Sequence, residues 1–180
     1  MSIKWLGLGL VGLLVVYLVL GAFTLSMRRE GLHGLTGNVW NNVDRATQLL
    51  TRLESEVLYA YKDRQALYQT ITAARNDLLA ARAVGDLEKA TNVAGRISVI
   101  LEDNSLAGDL TPVQISLMDE TAGSINRITY ARSKLIEGQV GYNQTRIFFF
   151  PVAVFFPRVE VLGETANPAQ QLPPSPFTPQ

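Results

Sequence analysis

Few side chains in this 180-residue sequence stand at spacings that support chemistry. His33, the single histidine, lies in EGLHGLTGN, Glu30 to Asn38, with no second histidine to share a metal, so neither ligation nor general-base work is expected of it. The glycines of that stretch resemble a phosphate-binding loop only in spacing: no strand precedes them and no Lys-Ser/Thr pair follows. Glu102 and Asp103 are adjacent, and adjacent positions point apart on a helix, which denies them a shared proton. G-x-S-x-G, P-loop, H-E-x-x-H and D-x-D-x-D-G patterns are absent from the sequence. With no cysteine, thiol nucleophiles, thiolate metal sites and disulfides are absent too. No catalytic, cofactor-binding or metal residue is assigned, and the chain is read as not an enzyme.

Two groups remain that could do something specific. One is polar: Asn126, Arg127, Arg132, Tyr142 and Asn143. Asn126 and Arg127 precede Tyr142 and Asn143 by about four helical turns, so one pair cannot complete the other's site. They either satisfy buried groups and hold helix register, or they face a ligand or partner. The other is aromatic. IFFFPVAVFFP, Ile147 to Pro157, holds Phe148, Phe149, Phe150, Phe155 and Phe156, five of the seven phenylalanines, and is a candidate partner-binding surface.

These groups must be positioned by helices. Trp5 to Leu25, WLGLGLVGLLVVYLVLGAFTL, has no charge and at 1.5 Å per residue reaches about 30 Å, the thickness of a bilayer core. It is too long for the apolar region of a cleaved signal peptide, so residues 1–27 are expected to be a retained transmembrane anchor with Trp5 at headgroup level. Lys4 on one side and Arg28 with Arg29 on the other leave the orientation open. Gly31, Gly34 and Gly37 cost about 1 kcal/mol each in a helix interior, which predicts a flexible neck over 28–37.

From Asn38 to Gly85 no proline or glycine intervenes. Val39, Val43, Ala46, Leu50, Leu53, Val57, Ala60, Leu67, Ile71, Ala74, Leu78 and Ala81 keep a seven-residue repeat broken only at Arg64. Tyr59, Tyr61 and Tyr68 flank that stripe and widen it. The repeat predicts one coiled-coil-like helix over 38–84. Asp86 starts a second, 87–102, and Thr111, Pro112 and Gln114 form a capping box for a third, 112–148. The fold class expected is all-α: an N-terminal transmembrane helix, then an elongated antiparallel helical bundle of three long helices over 38–157. Residues 158–180, rich in proline, are expected to be an extended or disordered tail.

The run Leu117 to Pro151, LMDETAGSINRITYARSKLIEGQVGYNQTRIFFFP, is similar to the end of the LemA family domain. Glu120, Asn126, Arg127, Ile128, Ala131, Arg132, Val140, Tyr142, Asn143, Ile147 and Pro151 match that pattern in register. Ser124-Ile125 and Leu135-Ile136 depart from it. So does QLLTRL, Gln48 to Leu53, where the family carries a proline whose absence favours an unbroken first helix. The resemblance implies a bacterial, membrane-anchored helical protein with no established enzymatic activity in its family.

Zero formal net charge offers nucleic acid no long-range attraction, and none is expected as a partner. The expected function is that of a single-pass scaffold in a bacterial inner membrane, self-associating or organising other membrane proteins; the alternative is a bundle that binds a lipid or other apolar molecule between its helices. If three helices alternate up, down and up from the membrane, the phenylalanines end at the far tip, where they cap the bundle and leave Phe155 and Phe156 for self-association.

Overall fold

A computed structural model describes residues 3–58, 61–105 and 110–163. The side chains of Trp5, Tyr59, Tyr61 and Arg64, and the tail from residue 164 onward, lie outside the described residues. Five helices make up the described chain: α1 Ile3–Leu58, α2 Tyr61–Val84, α3 Leu87–Ser105, α4 Pro112–Phe148 and the single turn α5 Phe150–Ala153. There is no strand among the described residues.

The first departure from expectation is the neck. Residues 28–37 are helical, inside a helix of 56 residues, about 84 Å long. Three glycines cost roughly 3 kcal/mol there. Burying Leu32 and Val39 and half-burying Leu35 against α4 returns more, at about 1.5–3 kcal/mol per fully buried aliphatic side chain. Leu25, Leu32, Val39, Ala46 and Leu53 stand seven residues apart and are all buried. The seam therefore begins within the apolar segment and passes through the glycines unbroken.

The second departure is the long helix over 38–84, which is two helices. Arg75 meets Glu54, and Arg82 meets Asp44 and stacks over Trp40 at 4.8 Å, so α2 runs back along α1. Both halves of the stripe are buried, but against each other: Val39, Val43, Ala46, Leu50, Leu53 and Val57 from α1, and Leu67, Ile71, Ala74, Leu78 and Ala81 from α2. An apolar seam that could face a partner helix is satisfied equally by its own second half once the chain doubles back.

The other boundaries follow their sequence signals. Gly85, at φ +71°, ends α2 with Asp86 N–H donating to the Ala81 carbonyl at 2.9 Å, and the Asp86 carboxylate accepts from Lys89 N–H at 2.8 Å to start α3. Thr111 and Gln114 form the reciprocal capping box of α4. Gln114 then donates to the Glu56 carbonyl, pinning the start of α4 beside the end of α1.

From that point α4 returns along α1 as far down as Tyr17. Arg45 pairs with Glu120, Gly138 lies against Leu32 and Leu35, Gly141 against Arg28, and Phe149 against Gly21. The C-terminal part of α1, α2, α3 and the start of α4 form a four-helix head, and below it α1 and α4 form a two-helix stalk on which α5 and residues 157–163 pack.

The phenylalanines consequently sit at the opposite end from the one expected. A three-helix path ends at the tip, whereas the extra reversal between α1 and α2 adds a leg and brings Phe148 and Phe149 down beside Tyr17 and Gly21. Among the described helices, α1 is the one long and apolar enough to cross a membrane.

Candidate functional site

The site is the lower end of the stalk, and it is built by an ending. Pro151 has no N–H to continue α4, which stops at Phe148 with Phe149 as its cap, outside helical geometry at φ −100° and ψ 45°. A turn at Phe149 leads into α5, Phe150–Ala153. Pro157 then begins an extended segment, 157–161, that climbs back along α4 and ends in a turn at 162–163.

The aromatic residues divide by this path. Phe149 turns inward, its ring 5.3 Å from that of Tyr17 and its edge against Gly21, where a Cβ would stand 2.8 Å from Phe149 Cδ1. Val152 and Ala153 are buried, and Phe156 packs on the core. Phe148, Phe150 and Phe155 are left outside with Ile147 and Val154, each more than 70% exposed. The expected pairing of Phe155 with Phe156 as one surface is thereby corrected: Phe155 is 81% exposed and Phe156 faces in.

The polar group also divides. Tyr142 is fully buried and donates its hydroxyl to the Pro157 carbonyl at 3.1 Å. Asn143 makes a two-way clasp with Val159, its amide donating to the carbonyl at 2.7 Å and its oxygen accepting from the N–H at 3.1 Å. Two residues that sequence reasoning passed over complete this set. Gln139 accepts from Leu162 N–H at 2.9 Å, and Arg146 donates to the carbonyls of Phe156 and Ala153. One side of α4 thus serves as a surrogate strand edge for the returning segment. Arg132 is half-buried beside Gly163 with its Nε unpartnered, while Asn126 and Arg127 lie on the exposed face of α4. The register-holding role fits Tyr142 and Asn143, though the element they hold is the extended segment, and it does not fit Asn126 and Arg127.

Tyr17 was the other missed residue. Its hydroxyl donates to the Phe148 carbonyl at 2.7 Å, filling one of the acceptors that a helix C-terminus leaves open. Its signal was a tyrosine, the only one in the uncharged run Trp5 to Leu25.

Elsewhere the surface offers little. His33 is exposed on α1 with Glu30 one turn away, and among the described residues no three His, Asp or Glu side chains gather into a metal set. Lys134 is raised above the usual lysine pKa by its hydrogen bond to Glu137 and by that carboxylate's charge, on the solvent side of α4. A shallow depression of about 590 Å³ between Arg52, Glu56 and Val113 opens widely to solvent at the head. Between α2 and α3 a gap of about 140 Å³ is lined by Ala74, Asp77, Arg96 and Ile97. No family model, curated protein or solved structure matches this chain. Its likeness to the LemA family therefore rests on the residues quoted above.

Proposed function

We propose that the chain is a single-pass, membrane-anchored helical scaffold of the LemA type in a bacterial inner membrane, an elongated antiparallel bundle that presents its head to partners or to copies of itself and is not an enzyme. The observation that carries this is the continuity of α1. One helix joins an apolar, outward-facing segment, with Leu8 to Val16 and Phe23 exposed, to the buried core of the head. Among the described residues these side chains are left uncovered, and lipid is the solvent that suits them. A helix that is anchor and core at once transmits position rigidly, which suits a scaffold.

Binding of an apolar ligand between helices has less support. The gap between α2 and α3, about 140 Å³, is below the roughly 300–1,000 Å³ of ordinary ligand pockets, and the depression of about 590 Å³ at the head is large enough but lies open to solvent instead of enclosing a ligand.

The test uses the full chain in native membranes. Resistance to alkaline carbonate extraction is expected, and a crosslinkable cysteine at Arg52 or Ser116 on the head should give one defined adduct. Extraction by carbonate would end the anchor reading. A chain that stays in the membrane but never crosslinks, at either position, would end the scaffold reading.

A further inference from the structure

We propose that the exposed part of IFFFPVAVFFP is a second membrane contact, an aromatic foot that dips into the same leaflet from which the stalk rises, with bilayer lipid as its occupant. The inference rests on α1 spanning the membrane, as proposed above, and adds what the C-terminal end of α4 does there.

Position is the first argument. Phe148 is bonded to Tyr17, and Phe149 and Val152 sit on Gly21. All of these are levels inside the uncharged run that ends at Leu25. Tyr17 lies eight residues below Leu25, about 12 Å, within one leaflet of about 15 Å. If α1 is in lipid at that level, the foot beside it is too.

Surface chemistry is the second. Ile147, Phe148, Phe150, Val154 and Phe155 all face outward, and no residue from Ile147 to Pro157 is charged. Leu13, Leu14, Val15, Val16, Val19 and Leu20 of α1, the neighbours in sequence of Tyr17, are exposed as well. Apolar surface of this extent is rare on a protein surrounded by water.

Backbone satisfaction is the third, and it separates lipid from a merely greasy surface. A chain that breaks helix in hydrocarbon must find partners for its freed carbonyls, because no water is there to meet them. Here Tyr17 meets the Phe148 carbonyl, and Arg146 meets those of Phe156 and Ala153. Phe149 accepts from Val152 and Ala153 N–H, and Pro151 brings no donor at all. The Arg146 guanidinium is spent on this inward task, which lets a cation lie close to the foot without facing lipid. A re-entrant turn of eleven residues touches one leaflet and returns, since the segment from Pro157 climbs back beside Tyr142 and Asn143. It does not cross.

Three single-tryptophan proteins test this in vesicles whose acyl chains carry bromine, a contact quencher of indole. Each is full length, with Trp5→Phe throughout. The foot reporter carries Trp40→Phe and Phe155→Trp, the span reporter carries Trp40→Phe and Leu14→Trp, and the stalk-top reporter retains Trp40. The foot reporter should lose emission as strongly as the span reporter, while Trp40 keeps its emission. A quenched span reporter with an unquenched foot reporter overturns the foot and spares the anchor; that is also the result if a second copy of the chain covers Phe155. An unquenched span reporter overturns both. Phe150→Trp in place of Phe155→Trp repeats the measurement on the other side of the turn and should agree.

Discussion

Glu54 lies between α1 and α2 with only about a tenth of its side chain exposed, and a carboxylate so placed survives because it is answered. Arg75 pairs with it and Thr72 Oγ1 donates to it at 2.7 Å. Asp44 and Arg82, two turns or more along the same interface, make a two-pronged pair, at 3.0 and 3.2 Å, that water reaches on both sides. The two pairs should behave differently. Removing one partner of a pair shielded from water strands the other charge, so Glu54→Ala should cost about 2–4 kcal/mol, the lower end reflecting Arg75's partial exposure. Asp44→Ala should cost about 1 kcal/mol or less. Urea melts of both variants decide this, and equal small losses would mean that Glu54 is in effect solvated. Changing His33 to alanine should leave the same melt unaltered. None of this was visible in the residue types, because Glu54 and Arg75 are 21 positions apart and become neighbours only once the chain reverses.

The stalk between α1 and α4 is held by small residues as much as by large ones. A Cβ on Gly138 would come within 2.8 Å of Leu35 Cδ1 and 3.0 Å of Leu32 Cδ2. Leu32 is buried on the seam and has little room to yield, whereas the end of the half-buried Leu35 can swing aside. Gly138→Val should therefore force the helices apart and cost about 1–3 kcal/mol, the usual range for overpacking; Gly123, whose Cβ would meet nothing within 4 Å, is the control. If Gly138→Val is tolerated as well as Gly123→Val in thermal melts, the two helices are not in close contact there. The elements themselves were largely legible. Gly85, Asp86 and the Thr111 capping box mark their boundaries by chemistry local to each, and the stripe identified the buried positions. What local chemistry could not reveal was direction. Val39 to Ala81 reads as one seam whether it runs straight to a partner or folds onto itself, and the pattern is blind to which. The neck failed for another reason: glycine cost was weighed without the seven-residue spacing of Leu25, Leu32 and Val39, which continued through it.

At the scale of the molecule, a single miscounted reversal moved the candidate site from one end to the other. Helices that alternate in direction place the end of an odd-numbered leg at the tip and of an even-numbered leg at the base. With α1 to α4 as four legs, Phe148 returns to Tyr17; with α1 and α2 as one leg, it would stand at the far end. The absence of cysteine from the chain makes this directly measurable with paired spin labels. His33 and Val140 are both exposed, and since Gly138 touches Leu32 and Leu35 they lie at nearly the same height on helices whose axes are about 8–10 Å apart. Ser116 lies near the level of Leu53, because Gln114 reaches Glu56, and so stands about 30 Å above His33. The pair His33→Cys with Val140→Cys should give the short distance, and His33→Cys with Ser116→Cys the long one. A path with only three legs starts α4 low and ends it high, which reverses the order of the two distances. Finding the 33–116 distance shorter than the 33–140 distance would therefore remove the stalk, and with it the ground on which the aromatic foot stands.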